Sequence, residues 1–480
     1  MNWGVFLPLM VFIIIIFIVG LWANKHVKSS TSFLQEYFLG SRSLGGFILA
    51  MTMMATYGSA SSFIGGPGVA YSTGLGWVLL SMAQLPAGYF VLMILGKKFA
   101  IMARKYKAIT LIDFLKARYE SASVGILGAI GIIIFLFASM AAQWVGGAWL
   151  IESITGIPYE TALFIFTFSV LVYVVIGGFR AVALTDAIQG SVMFFGTLIL
   201  LFAVIVSGGG VENLMMALVE ENPNLVSPFG ANGELTPLYV SSFWILVGVG
   251  VVGLPQVAVR AMSYKNARAM HKAIIIGTIF VGIIMLGMHL VGVFARPIMP
   301  GVEVADTVMP KITLEVFPPI VAGLILAAPM AAIMSTIDSL LILVSSAVVK
   351  DVYISYIRPE SSEKEIKWVS FSVTTILGIL VAIFALQPPE FLIYLNLFAF
   401  GGLEATFVWP VVFGLYWKRG NRFGALASMV AGMASYIFFQ TYHPNPLGMH
   451  TVVVPILISL VCYVIISLAT GTKKAAGLVR

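Results

Sequence analysis

A stretch of small, hydroxyl-bearing and helix-breaking residues, ATYGSASSFIGGPG at 55–68, interrupts one of the most apolar parts of the sequence. Gly58 relaxes the backbone, and Ser59, Ser61 and Ser62 can compete for its hydrogen bonds. Carbonyl and hydroxyl oxygens freed in this way suit a small alkali cation. A half-helix beginning near Ser61 would also favour an anionic group at its N-terminus.

The same stretch has a purely structural alternative, because small residues also let helices pack closely in membranes. A second apolar run, interrupted by GLPQ at 253–256, favours the functional alternative. The run GGPG at 65–68 is expected to end the first interrupted helix on its outer side.

Another polar stretch, LAAPMAAIMSTIDSLLILVSS at 326–346, places two hydroxyls and a carboxylate inside an apolar run. Ser335 and Thr336 can bond back to their own helix, as is common in membranes, or offer oxygens to an ion. Asp338 lies two residues after Thr336, so an ideal helix turns it about 200° away from that hydroxyl. Three roles remain open for Asp338: a second cation or proton site, a neutral interhelical hydrogen bond, or a solvated position in a cavity.

Two further acids lie within or at the edge of apolar runs, Asp186 in GGFRAVALTDAIQG and Glu404 in FAFGGLEATFVWP. An ionisable residue at membrane depth is costly, so both are functional candidates, with a structural ion pair as the alternative. Asp186 is expected near the cytoplasmic end of its span, where a water-filled exit would solvate it.

The composition requires a membrane-spanning protein, because 60% of the 480 residues are hydrophobic, 10% are charged and the mean hydropathy is +1.02. Thirteen apolar runs are long enough to cross a bilayer. They are 3–24, 46–70, 74–96, 122–150, 158–177, 186–207, 237–262, 273–295, 318–349, 368–386, 392–417, 423–441 and 449–470. Cys462 has no partner cysteine, so the sequence offers no disulfide or thiol metal site.

The basic residues predict the orientation. ANKHVK follows the first run and only uncharged residues precede it, which places the N-terminus outside. Thirteen crossings then assign every Lys and Arg except Arg296 and Lys311 to the cytoplasmic side and leave the C-terminus there. The net charge of +7 therefore reflects membrane orientation rather than nucleic-acid binding.

The two interrupted runs are the second and the seventh, five spans apart. An odd separation gives them opposite orientations, which is typical of an inverted repeat with its binding site at the repeat interface. We therefore predict one transmembrane domain over 1–480, with a first repeat at 46–207 and a second at 237–417. Runs 3–24, 423–441 and 449–470 would be additional helices.

Several motifs carry a resemblance to a known family that covers nearly the whole chain. They are EYFLGSRSLGG, SASSFIGGPG, GLGWVLL, ILGKKFAI, GGFRAVALTDAIQG, SFWILVGVGVVGLPQ, SYKNARAMHKAIIIGTI, LAAPMAAIMST and LNLFAFGGLEATFVWP. The sequence resembles the sodium/solute symporters, and most closely their pantothenate branch. The resemblance implies an all-helical fold of the leucine-transporter type, with a five-plus-five inverted repeat and broken helices.

The resemblance also implies sites by position. The Na⁺ ligands would be the carbonyls of Ala55, Gly58 and Ala332 and the hydroxyls of Ser335 and Thr336. Asp186 would lie on the ion's route to the cytoplasm, whereas Asp338 matches no usual family carboxylate. Substrate would lie beside the broken helices, near Ser59, Ser61, Ser62, Gln143, Trp144, Gln256 and Glu404. Arg260 is placed toward the cytoplasmic end of its span, so bound Na⁺ and a helix dipole would compensate the substrate's charge.

By this resemblance the protein would be an inner-membrane symporter that couples inward Na⁺ flow to pantothenate uptake by alternating access, without a protein partner. Proline or another small monocarboxylate is the alternative substrate. A membrane enzyme is disfavoured, because the sequence has no histidine pair beside a Glu, no nucleotide loop and no paired aspartates in facing spans. A channel is disfavoured because no filter motif is present, and a sensor because no long signalling domain follows residue 470.

Overall fold

The computed structural model describes residues 3–27, 44–176 and 179–471, which are predominantly helical. The motif EYFLGSRSLGG lies mostly outside these ranges, as does the basic tail after residue 471. The α-helices are α1 Trp3–Val27, α2 Gly46–Tyr57, α3 Gly66–Thr73, α4 Leu75–Ser81, α5 Ala87–Ile94, α6 Gly96–Lys105, α7 Leu111–Tyr119, α8 Ala122–Thr155, α9 Tyr159–Ile176, α10 Phe179–Ser207, α11 Val211–Glu221, α12 Pro237–Phe243, α13 Pro255–Ser263, α14 Ala267–Ile298, α15 Val308–Val316, α16 Pro319–Ile325, α17 Ala327–Ser346, α18 Glu363–Phe384, α19 Ile393–Tyr416, α20 Arg422–Tyr442 and α21 Val453–Ala469. Turns of π-helix form at Ser61–Gly65, Trp244–Val249 and Ala347–Ile357.

Each predicted span contains helix, but the helices in four of these spans are too short to cross a membrane by themselves. Among the described residues, eight helices are long and apolar enough to cross a membrane, and a bent pair, Pro237–Gly253 with Pro255–Ser263, adds a ninth. Four shorter apolar helices lie in the remaining runs: Gly46–Ala55, Leu75–Gln84, Tyr159–Val172 and Val453–Ala469. The thirteen apolar runs therefore each contain a helix, although several helices extend beyond the predicted bounds.

The first broken helix is interrupted at Gly58, which directly follows α2 and has extended backbone angles (φ −71°, ψ 109°). Helix resumes in the π turn at Ser61–Gly65 and continues through α3, so the prediction that 65–68 ends this helix is wrong. Pro67 directly follows the π turn, in which the Gly66 N–H bonds to Ser61 O five residues back, so the helix is already wider than a regular α-helix where proline lacks its donor. The helix ends instead at Gly74, whose φ of +88° favours glycine.

The second broken helix is interrupted at the GLPQ motif, as the sequence predicts. Leu254 is extended (φ −79°, ψ 122°), and Pro255 begins α13 after a bend of 53°. Proline fits the first position of a helix and cannot extend the preceding one, so it fixes the site of the break. α2 packs against α10, α14 and α17, and α19 packs against α8 and the turn at Gly250–Gly253. Both breaks therefore lie in the interior, where freed backbone groups need not face lipid.

Candidate functional site

The five oxygens predicted as Na⁺ ligands lie together between α2 and α17. Thr336 Oγ1 is 2.9 Å from Ala332 O, 3.0 Å from Gly58 O and 3.5 Å from Ala55 O. Ser335 Oγ is 3.1 Å from Ala332 O and 3.3 Å from Ala55 O. All five residues are buried. None of these oxygens is ionised, and such a neutral set suits a monovalent ion that must be released in each transport cycle.

The local sequence explains why these oxygens are available. The chain leaves the helix at Gly58, so the carbonyls near the end of α2 lack the amide donors that a continuing helix would supply. On α17, Ala332 lies three and four residues before the two hydroxyls, which places all three oxygens on adjoining turns. The hydroxyls reach both their own helix and the opened end of α2, so either a hydroxyl proton or a cation can bridge the two helices.

Gln143 stabilises the start of the second half of this broken helix. Its Oε1 accepts a hydrogen bond of 2.8 Å from the backbone N–H of Ala60, and its Nε2 donates to Ser139 O at 3.2 Å. The side chain is fully buried. In this structure Gln143 therefore acts as a helix cap, and its amide oxygen is already used by the protein.

We expect Gln143→Leu to destabilise the protein, because the buried Ala60 N–H would lose its acceptor at a cost of about 1–3 kcal/mol. The midpoint of thermal unfolding in detergent measures this loss. Gln84→Leu is the matched control, since Gln84 is only partly buried and donates weakly to Ser81 in its own turn, at 3.4 Å. Equal midpoints for the two variants would contradict the capping role.

A narrow cavity of about 10 Å³, here called the central cavity, lies beside the Na⁺ ligands. Its polar lining comprises Ser59, Ser139, Gln256, Thr336, Ser339 and Asn396. Ser139 Oγ donates to Asn396 Oδ1 at 2.6 Å. Among the described residues, Ser59 Oγ and Gln256 Oε1 are buried without a hydrogen-bond partner. Unpartnered buried polar atoms are costly, so they favour a polar ligand in this cavity.

The remaining residues predicted to bind substrate lie in different surroundings. Ser62 Oγ donates to Tyr57 O at 2.9 Å, and Ser61 Oγ is buried without a partner among the described residues. The Trp144 ring packs edge to face on Phe166, with centroids 6.2 Å apart, and so points toward α9. Trp144 is therefore turned away from the central cavity.

Glu404 lies on α19, one turn beyond Phe400, which lines the central cavity. It is fully buried, and neither carboxyl oxygen has a partner among the described residues. A Cβ atom at Gly250 would come within 2.4 Å of Glu404 Oε2, so glycine is required for this close approach. The carboxyl group thus lies against the irregular segment of the second broken helix.

Asp186 and Arg260 form a buried ion pair that the sequence did not predict. Arg260 Nη2 lies 3.6 Å from Asp186 Oδ2 and donates to Ser339 Oγ at 2.7 Å. Its Nε donates to Thr52 O, and its Nη1 to Gln256 O, both at 2.9 Å. The Thr52 hydroxyl donates to Asp186. The cluster joins α2, α10, α13 and α17.

Two expectations are corrected by this cluster. Arg260 is 1% exposed and cannot be counted among the cytoplasmic joints, because α13 turns its side chain inward. Asp186 is fully buried rather than solvated. Asp338 is buried too, at 1% exposure. This burial argues against the third of its possible roles, a solvated position in a cavity.

The residues that sequence reasoning missed are Thr52, Ser139, Arg260, Ser339 and Asn396. Ser339 could have been found, because it follows Ser335 by four residues on the same helical face. Arg260 follows Gln256 by four residues in the same way. Ser139 and Asn396 carry no comparable signal, since each is a single polar residue in an apolar helix.

Comparisons with known proteins identify the family. Residues 37–432 match the model of the Sodium:solute symporter family. The chain is 49% identical to the sodium/pantothenate symporter of Escherichia coli over 97% of this chain and 96% of that protein. It is 48% identical to the sodium/pantothenate symporter of Haemophilus influenzae with the same coverage. Identity to the sodium/proline symporter of Escherichia coli is 28%, over 93% and 90% of the two chains.

A solved structure of a Na⁺-coupled sialic acid symporter superposes with a TM-score of 0.80 over 98% of this chain and 97% of that chain, at 18% identity. This likeness concerns the fold, and it confirms the all-helical, leucine-transporter-type architecture. Together with the multi-pass helices, the sequence matches show a membrane transporter whose coupling ion is Na⁺. The chain therefore belongs to the sodium:solute symporter family.

Proposed function

We propose that this protein couples inward Na⁺ flow to the uptake of pantothenate by alternating access, and that it catalyses no chemical reaction. One observation carries the proposal: Thr336 belongs both to the five oxygens predicted to bind Na⁺ and to the lining of the central cavity. Gly58, whose carbonyl is another of those oxygens, directly precedes the cavity residue Ser59. An ion bound here would stabilise the broken helix in the conformation that lines the substrate cavity, which couples the two ligands.

The polar groups of the site fit the chemistry of pantothenate, a carboxylate with hydroxyls and an amide. Gln256 Oε1 and the Glu404 carboxyl oxygens are unpartnered acceptors among the described residues, and substrate hydroxyls or an amide N–H would satisfy them. Ser59 and Ser61, near the start of the half-helix, offer donors to the carboxylate. The central cavity has room for about one water molecule, so substrate entry requires the helices to separate.

Proline is the second candidate, because Glu404 would also pair with the ammonium group of an amino acid. The higher identity to the two pantothenate symporters than to the proline symporter supports pantothenate.

The proposed orientation has the N-terminus outside and the C-terminus in the cytoplasm of an inner-membrane protein. The repeats at 46–207 and 237–417 would then enclose the site, and Asp186 would lie on the ion's way inward.

Uptake into membrane vesicles tests this proposal. We expect labelled pantothenate to accumulate when an inward Na⁺ gradient is imposed, and not when K⁺ replaces Na⁺. Labelled proline serves as the competing substrate in the same vesicles. Na⁺-driven accumulation of proline without pantothenate would contradict the substrate assignment, and equal pantothenate uptake without Na⁺ would contradict the coupling.

A further inference from the structure

Three cavities follow one another from the middle of the protein to its surface. The central cavity shares Ser339 with a second cavity of about 10 Å³, here called the exit cavity, which Arg260 and Thr110 also line. The exit cavity shares Ile109 with an open cleft of about 560 Å³, here called the surface cleft. Each shared residue places two of these cavities next to each other, so the three lie in series.

Most of the charged side chains that line the surface cleft are lysines. Lys107, Lys116 and Lys350 line it, with Asp113 paired to Lys350 at 3.1 Å and with Glu120. In the proposed orientation this face is cytoplasmic, where the surplus of basic residues is expected. The series of cavities therefore has the position of a route from the binding site to the cytoplasm.

The Arg260 cluster separates the central cavity from the exit cavity. Ser339, to which Nη2 donates, lines both cavities, whereas Arg260 lines the exit cavity and not the central one. Gln256, whose carbonyl accepts from Nη1, lines the central cavity. Donors from one guanidinium thus hold α2, α13 and α17 together at the point where the route is closed.

The same cluster lies one helical turn beyond the Na⁺ ligands on two helices. Thr52 precedes Ala55 by three residues on α2, and Ser339 follows Thr336 by three residues on α17. One turn of helix rises about 5 Å, so an ion that leaves toward this face next meets Asp186 and its partner Arg260.

We propose that the Arg260 guanidinium is the gate of this route, and that Na⁺ opens it by replacing Arg260 at Asp186, which frees Arg260 to pair with the carboxylate of the departing substrate. This proposal rests on the proposed function, since it requires an anionic substrate and Na⁺. It supplies the basic partner for that carboxylate that the sequence did not reveal.

Charge balance explains why both ligands would be needed. An uncompensated buried charge is strongly unfavourable, so Arg260 cannot leave Asp186 unless a cation takes its place there. The freed guanidinium then needs an anion, which the substrate provides. A neutral solute without Na⁺ would leave the pair of Arg260 and Asp186 intact, so the gate would stay closed. Na⁺ together with an anionic substrate would give both members of the pair a new partner, so the two ligands together favour the open gate most.

Cysteine accessibility tests the gate without requiring transport. In a Cys462→Ser background, Ser139→Cys places one thiol in the central cavity. A membrane-impermeant thiol reagent is applied to the cytoplasmic face of inside-out vesicles. We expect Arg260→Ala to raise the labelling rate on the order of tenfold. Arg358→Ala is the control, since Arg358 is exposed and pairs with Glu365 at the surface. Equal labelling with and without Arg260 would overturn the proposal.

Ser339→Ala keeps the test decisive if Arg260→Ala fails to fold, because it removes the 2.7 Å hydrogen bond and leaves the ion pair intact. We expect a smaller rise in labelling for it, and an unchanged rate would overturn the gate.

In proteoliposomes, wild type should transport pantothenate better than its neutral alcohol analogue, and Arg260→Gln should abolish that preference. An unchanged preference would overturn the carboxylate role. Failure of the proposed function would instead abolish transport of both compounds and leave the labelling result standing.

Discussion

Thr336→Ala is expected to raise the Na⁺ concentration for half-maximal uptake about tenfold, because the loss of one oxygen ligand costs on the order of 1–2 kcal/mol. Thr336 Oγ1 approaches three of the other predicted ligands, Ala55, Gly58 and Ala332, so its removal opens the site on one side. Initial rates of labelled pantothenate uptake over a series of Na⁺ concentrations measure the effect. Thr336→Ser retains the oxygen and is expected to stay near wild type.

Thr406→Ala is the matched control for this substitution. Thr406 is also buried in a long helix, and its hydroxyl donates to Gly402 O of the same helix at 2.7 Å. We expect its Na⁺ dependence to match wild type. If Thr336→Ala and Thr406→Ala shift the Na⁺ dependence equally, the assignment of Thr336 as an ion ligand is wrong.

Asp186→Asn is expected to reduce Na⁺-driven uptake on the order of a hundredfold, because it removes the carboxylate that would receive the ion on its way inward. It also removes the counter-charge that Asp186 gives to the buried Arg260, which costs about 3–5 kcal/mol of stability. Asp186→Glu keeps the charge and should retain much of the activity. Uptake per folded transporter is the quantity to measure, with the amount of folded protein taken from size-exclusion chromatography in detergent.

The double variant Asp186→Asn with Arg260→Gln separates folding from mechanism. It removes both charges, so the yield of folded protein should recover toward wild type while Na⁺-driven accumulation stays low. Recovery of both yield and accumulation would show that the pair is structural alone. Wild-type accumulation by the single Asp186→Asn variant would also remove the acid from the mechanism.

The sequence was informative wherever local chemistry determines the structure. Gly58 and Pro255 each disfavour helix continuation by their own backbone properties, so both breaks were predictable. The run at 65–68 misled for the same reason. Its glycines and proline predict a helix end, but the π turn before Pro67 carries the helix past it.

The Arg260 cluster could not be predicted because its members are far apart in the chain. The rule that basic residues lie in cytoplasmic joints assigned Arg260 to the surface, whereas the bend at Leu254 turns it inward. Its partner Asp186 comes from α10 and Thr52 from α2, so only the packing of these helices brings them together. Trp144 is the reverse case, since the resemblance implies a place beside the substrate, whereas its ring packs on Phe166 of α9.

The central claim is that Na⁺ and substrate bind adjoining sites on one broken helix. Measuring how each ligand changes the affinity of the purified transporter for the other tests this claim most directly. Pantothenate affinity is measured with Na⁺ and with K⁺, and Na⁺ affinity with and without pantothenate. Linkage requires each ligand to raise the affinity of the other by the same factor. We expect a factor on the order of tenfold that disappears in the double variant Ser335→Ala with Thr336→Ala. Pantothenate binding of equal strength in Na⁺ and in K⁺ would contradict the account.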